Sequence, residues 1–259
     1  MFQRVFLGQC RRIFSSPVIW LCMAIFVAVL FVNSAIVFIQ EDPTVLFAYD
    51  GWATVNLEAV VLSMLPSLPF ALSYLDERRE RSLRFSYIRC GVEPYLWAKY
   101  LAMLLSGFVV VVLSSVVYCV ILRTMMPLSG PTDFGEGENG LRILIETGRP
   151  LLYLFWKIVC FGFSGMLFTG LTFFFSLFFR GRYTVMVLPF LCFRLLSFLY
   201  SLLKIDNLYF YPRYWLIETN PNFLTATGEV GAKIAFVAVI LLAIGLIAVK
   251  KAERSMLCE

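Results

Sequence analysis

Six runs of apolar residues alternate along the chain with shorter segments that hold most of its charge. A hydrocarbon core of roughly 30 Å takes about 20 helical residues to cross, and the runs lie near 17–39, 56–75, 95–122, 151–179, 184–203 and 230–249. Aromatic and β-branched residues are common inside them and in water would favour strands. The runs are too long for strands, however, and lack period-2 alternation, and a lipid-exposed backbone must satisfy its own hydrogen bonds. The pattern predicts an all-α integral membrane protein with six transmembrane helices, read as one transmembrane domain over 1–259. Ahead of the first run, Phe2, Phe6, Cys10 and Ile13 share one helical face and Arg4 and Arg11 the opposite one. That predicts an amphipathic interfacial helix over 1–16, lying along the inner leaflet. A cleaved signal peptide is the competing reading. The first run outlasts a usual signal core by continuing through Ile36 to Ile39, and Val32-Asn33-Ser34-Ala35 makes a poor cleavage site.

Charge gives the orientation, because positively charged loops stay in the cytoplasm. With the N-terminus inside, fourteen of the 22 Lys and Arg residues fall in inside segments and five in outside ones, leaving Lys157, Arg194 and Lys233 within spans or at their ends. The split predicts a multi-pass protein of the cell membrane with both termini in the cytoplasm. Composition narrows the chemistry further. The chain is 60% hydrophobic and 15% charged, with no histidine, which excludes Ser-His-Asp and Cys-His nucleophiles and His-ligated zinc or haem. Its seven cysteines form no C-x-x-C and none falls in a predicted outside loop, so no disulfide or metal framework is expected.

The loop at 76–94, between the second and third spans, carries dense charge of both signs with no glycine or proline before Gly91. Leu83 and Tyr87 stand at an i, i+4 spacing on one face, predicting a short amphipathic cytoplasmic helix suited to docking a partner. Glu77-Arg78 followed by Ser82-Leu83, with Lys99 opening the third span, resembles the ABC-2 type permeases, the transmembrane subunits of ATP-binding-cassette exporters. So does the plan of an amphipathic N-terminal helix, six spans and an aromatic loop containing Asn220-Pro221 before the last of them. The sequence departs from that family at Arg81, where glycine is usual, and at Cys90-Gly91, where proline is common. The resemblance implies a dimer of permease subunits, homomeric or heteromeric, each docked on an ABC ATPase subunit through a coupling helix that includes Glu77, Arg78, Ser82, Leu83 and Tyr87. It also implies export of a lipophilic or amphipathic substrate such as a peptide, drug or lipid. Independently, no G-x-x-x-x-G-K-[ST] sequence occurs. ATP and Mg would therefore be held by the partner, and this chain would bind no cofactor and no nucleic acid.

Within the spans, Arg194 is the costly residue, at about 2.5–3.5 kcal/mol for a helix-centre arginine on insertion scales. Its candidate partners are Glu58, near the outer end of the second span, or helix carbonyls and water in a central cavity, with a helix-packing ion pair and a translocation-path cation as the two readings. Lys157 and Lys233 are expected to extend to the headgroups. In the fourth span Gly165 and Thr169 predict a close-packing seam. Clustered Tyr209, Phe210, Tyr211, Tyr214 and Trp215 in the last outside loop predict either an aromatic belt or an element capping an exit path. Two other functions compete with the exporter subunit. An ATP-independent carrier or channel would be expected to show internal repeats, which are absent, although Pro66 and Pro69 are placed to break the second helix. An intramembrane enzyme would need several ionisable groups at one depth, and the sequence offers only Arg194 and Glu58.

Overall fold

The computed structural model describes residues 2–34, 43–51, 62–68, 73–79, 90–130, 140–203, 212 and 225–257. Among the described residues all regular structure is helical. In chain order the helices are α1 (Phe2–Phe14), α2 (Pro17–Asn33), α3 (Val45–Gly51), α4 (Ser73–Arg79), α5 (Val92–Met125), α6 (Ile143–Glu146), α7 (Pro150–Ser176), α8 (Arg182–Leu202) and α9 (Ala226–Leu257), with 3-10 turns at Leu65–Ser67 and Gly140–Arg142. Four of them, α5, α7, α8 and α9, are long and apolar enough to cross a membrane, or five if α1 and α2, bent by 57° at their junction, count as one broken span. These four contain most of the last four predicted runs. Of the predicted second span only 62–68 and the start of α4 are described, and the 3-10 turn there includes Pro66, one of the two prolines placed to break the helix; Pro69 lies outside the described residues. Glu58 and the loop residues 204–211 and 213–224 lie outside the described residues.

The bend between α1 and α2 has a local cause. The Ser16 side chain accepts a hydrogen bond from the Val18 N–H at 3.3 Å, and Pro17 takes the first helical position, where its missing N–H costs nothing. Helix α1 then turns its Ile13 face onto the start of α5, with Phe6 and Cys10 partly buried and Arg4 and Arg11 exposed. This matches the expected division of faces except at Phe2, which is exposed.

At the centre α5 and α7 run antiparallel. Gly107 faces Gly165 and Thr169, Tyr100 packs on Phe173 at 5.4 Å between ring centroids and Phe108 on Phe163 at 5.5 Å. Paired positions rise along one helix as they fall along the other. Helix α9 lies against both: the Tyr100 hydroxyl donates to the Leu241 carbonyl at 2.9 Å, and Gly245 meets Trp97 and Tyr100. The expected seam at Gly165 and Thr169 is present, and its partner is Gly107 of the same chain. Helix α8 packs chiefly on α7, through contacts such as Phe168–Phe193 at 5.9 Å, and leaves Leu191, Leu195, Leu196, Phe198 and Leu202 exposed.

Candidate functional site

The α5/α7 register fixes the depth of every charged group in the bundle. It sets Lys157 opposite a residue near 116 of α5, about 17 residues or about 26 Å from Lys99 at 1.5 Å per residue. The structure gathers buried charge at these two levels, which are separated by close to the thickness of a hydrocarbon core.

At the Lys99 level, α4 presents adjacent carboxylates in opposite directions. Glu77 turns inward and is buried together with Lys99, which is fully enclosed. Its Oε2 accepts hydrogen bonds from the Lys99 ammonium and, at 2.7 Å, from the Tyr95 hydroxyl. Its Oε1 accepts from Arg12 Nη1 of α1 at 2.9 Å. The ammonium also stands 5.9 Å from the ring centroids of Tyr74 and Tyr95, close enough for the ring faces to favour its charge. Asp76 turns outward and accepts from Arg182 Nε, at the start of α8, at 3.1 Å. One turn of α4 is therefore tied by charge to α1, α5 and α8. The Asp76–Arg182 pair is exposed and adds at most about 1 kcal/mol. In the Glu77 cluster Glu77 and Lys99 are buried and three hydrogen bonds meet the carboxylate, so removing one partner there costs more than at the surface pair.

Burial raises the Glu77 carboxyl, but Lys99, the Tyr95 hydroxyl and Arg12 outweigh burial and hold it below its ordinary value of 4.5. A carboxyl depressed by folding contributes stability that is complete above the unfolded value and is lost as pH falls through the folded one. Thermal stability is therefore expected to decline on acidification below about pH 4.5, and Glu77→Gln to flatten part of that decline. Melting curves of both proteins across that range check this, and identical acid limbs would remove Glu77 as a contributor.

At the Lys157 level, Asp50 of α3 pairs with Lys157 of α7 at 2.9 Å and accepts from the Tyr153 hydroxyl at 2.6 Å. On α9 the fully buried Glu229 pairs with Lys233 at 2.8 Å, and accepts a hydrogen bond from the Leu141 N–H at 2.9 Å. Cys160, one turn beyond Lys157, lies within electrostatic range of Lys157, Glu229 and Lys233, so both pairs occupy one region. Two expectations are corrected here. Lys157 and Lys233 turn into the bundle to carboxylates instead of extending to headgroups. Several ionisable groups also do converge at one depth.

Of the predicted site residues, Glu77 is buried and engaged within the chain, Arg78 continues α4, and Ser82, Leu83 and Tyr87 lie outside the described residues. Any part Glu77 plays in coupling is thus one of positioning α4. Arg194 is exposed on α8 with its guanidinium 6.0 Å from the Phe190 ring centroid. Its neighbour Phe193 is the residue that turns inward onto α7. Asp50, Tyr153 and Glu229 were not singled out from the sequence. The i, i+4 spacings Tyr153/Lys157 and Glu229/Lys233 were legible there, whereas nothing near Asp50 marked it. Comparison with known proteins yields no match to any family, curated protein or solved structure.

Proposed function

We propose that this chain is the transmembrane permease subunit of an ABC exporter. It moves a lipophilic or amphipathic substrate such as a peptide, drug or lipid across the cell membrane, with both termini in the cytoplasm, and a separate ATPase subunit binds and hydrolyses ATP with Mg. The observation that carries this reading is the α4 junction. A segment at the head of the proposed coupling loop is fastened by Glu77 and Asp76 to α1, α5 and α8, so a push on the loop is delivered to three elements together. That is what a subunit driven from outside its own chain requires. A second permease subunit belongs to this reading as well. The six-span plan, with a second span near 56–75, belongs to this reading.

An ATP-independent carrier or channel is the second reading. It is favoured by the ion pairs Asp50–Lys157 and Glu229–Lys233, the second of them buried, groups of the kind that relay ions within membranes. Isolation of the native protein in mild detergent separates the two. We expect a stoichiometric Walker-motif ATPase to accompany the wild-type chain. Leu83→Asp with Tyr87→Asp should lower its recovery by about tenfold or more, since losing apolar anchors worth over 1 kcal/mol each exceeds the 1.4 kcal/mol of a tenfold change. A well-folded chain with no nucleotide-binding partner, whose transport follows an ion gradient, would overturn the exporter reading in favour of the carrier.

A further inference from the structure

At the end of the bundle remote from Glu77 two short helical segments each meet a core helix through a carboxylate, partly exposed at Asp50 and buried at Glu229. The first is α3. Its start is held to the end of α5 by backbone hydrogen bonds from Val45 N–H to the Pro127 carbonyl at 3.0 Å and from Leu46 N–H to the Leu128 carbonyl at 3.2 Å. Tyr49 is fully buried and packs edge-on to Phe161 of α7 at 5.7 Å, with Tyr118 of α5 at 6.3 Å. The other end of α3 is held to α7 by Asp50, through Lys157 and Tyr153. The second cover is the turn Gly140–Arg142 with α6, which buries Leu141 and Ile145 and is held to α9 by the Leu141 N–H bond to Glu229. Between the two anchors lies Cys160, partly buried.

The apolar side of α3 is packed too, with Val45, Leu46, Ala48 and Tyr49 buried, and the carboxylate adds to that packing. Apolar contact weakens gradually as surfaces slide, whereas the attraction between Asp50 and Lys157 at 2.9 Å depends on one relative position of α3 and α7. The lysine partners lie on the central helices, α7 and α9, that pack along α5, whose other end carries Lys99 and the Glu77 cluster. A shift of α7 against α5 would move Lys157 away from Asp50.

We propose that Asp50, Lys157 and Tyr153 form a latch that holds α3 closed over this end of the bundle and releases it during transport, with Glu229 acting in the same way on the 140–146 segment. The proposal rests on the transport reading of the chain. It assigns the release point to the α3–α7 contact and gives Tyr153 the role of positioning Asp50 for Lys157.

The test uses sealed membrane vesicles of both orientations containing the full chain. A membrane-impermeant maleimide is added, and labelling of Cys160 is read by site-resolved mass spectrometry. In wild type, Cys160 is expected to react slowly from the face opposite Glu77, and Asp50→Asn or Lys157→Met to speed labelling from that face by tenfold or more. Tyr153→Phe, which removes one hydrogen bond and keeps the ring, should give a smaller increase, and Asp50→Glu should stay near wild type. Amide exchange should rise at 45–51 in Asp50→Asn and at 140–146 in Glu229→Gln, each without the other. Unchanged Cys160 labelling and exchange in Asp50→Asn and Tyr153→Phe, with both proteins folded and monodisperse, would overturn the latch. If Asp50→Asn fails to fold, Tyr153→Phe decides alone. MgATP added to wild-type vesicles should raise Cys160 labelling. An Asp50→Asn effect without any MgATP effect would keep the latch and count against the ATP-driven reading.

Discussion

Lys99→Met is expected to be among the most damaging single substitutions in this protein. Lys99 is fully enclosed, and its ammonium is the innermost counter-charge to Glu77. Removing it leaves a buried carboxylate with Arg12, itself largely exposed, as its remaining cation in that cluster. Breaking one side of a buried pair costs about 3–5 kcal/mol, because the surviving charge keeps its desolvation penalty and loses its compensation. The expected result is a steep fall in melting temperature and in monodisperse yield. The double substitution Glu77→Gln with Lys99→Met should recover most of that loss, since a neutral group there has much less to pay for burial. Under the exporter reading, recovery of stability without recovery of ATPase activity in a co-purifying partner would mark the cluster as the link between α4 and the bundle. If Lys99→Met melts like wild type, the Glu77 cluster does not hold α4 and the junction described above fails with it.

The second large effect is expected at the α5/α7 seam. A Cβ at Gly107 would stand 2.3 Å from Thr169 Oγ1 and 2.9 Å from the Gly165 carbonyl oxygen, and one at Gly165 would stand 2.6 Å from Val111 Cγ2 and 2.9 Å from the Gly107 carbonyl oxygen. Thr169 has little room to turn away, because its hydroxyl donates to the Gly165 carbonyl at 2.8 Å. Each glycine thus meets backbone as well as side chain, and the helices themselves must separate. Overpacking of this kind costs about 1–3 kcal/mol for a single methyl and more for a larger group. In lipid, where apolar surface gains nothing from leaving water, lost helix contact is not offset by a hydrophobic term. Gly107→Ala and Gly165→Ala should each lower thermal stability, and Gly107→Leu should abolish folding. Gly8→Ala is the control: a Cβ there meets nothing within 4 Å, and helix propensity alone should stabilise α1 by about 1 kcal/mol. Equal melting temperatures for Gly107→Ala and Gly8→Ala would exclude the close approach.

Much of the architecture was legible in the chain because lipid leaves few options. Long apolar runs without alternation become helices, and the runs near 95–122, 151–179, 184–203 and 230–249 fall largely within α5, α7, α8 and α9. The seam was legible for a similar reason. Small residues one turn apart in an apolar helix invite a neighbouring backbone, though Gly107 as that neighbour was not foreseen. The charged groups were read less well. Arg194 drew attention by its isolation in the sequence, yet helix phase turns it outward. Lys157 and Lys233 were assigned to headgroups by a rule about side-chain length that holds only when no carboxylate lies closer. Glu77 was read as part of a docking surface from its motif, and the structure turns its carboxylate into the bundle.

What the sequence determined alone is the helical class, the apolar runs and the candidate seam glycines, because each follows from composition and spacing within one segment. Tertiary structure decided which charges meet. The pairing of Asp50 with Lys157 joins residues 107 positions apart, that of Glu77 with Arg12 joins residues 65 apart, and Leu141 and Glu229 are separated by 88. Electrostatic attraction in a low-dielectric interior depends on distance and burial, and for residues so far apart in the chain both exist only once the helices have packed.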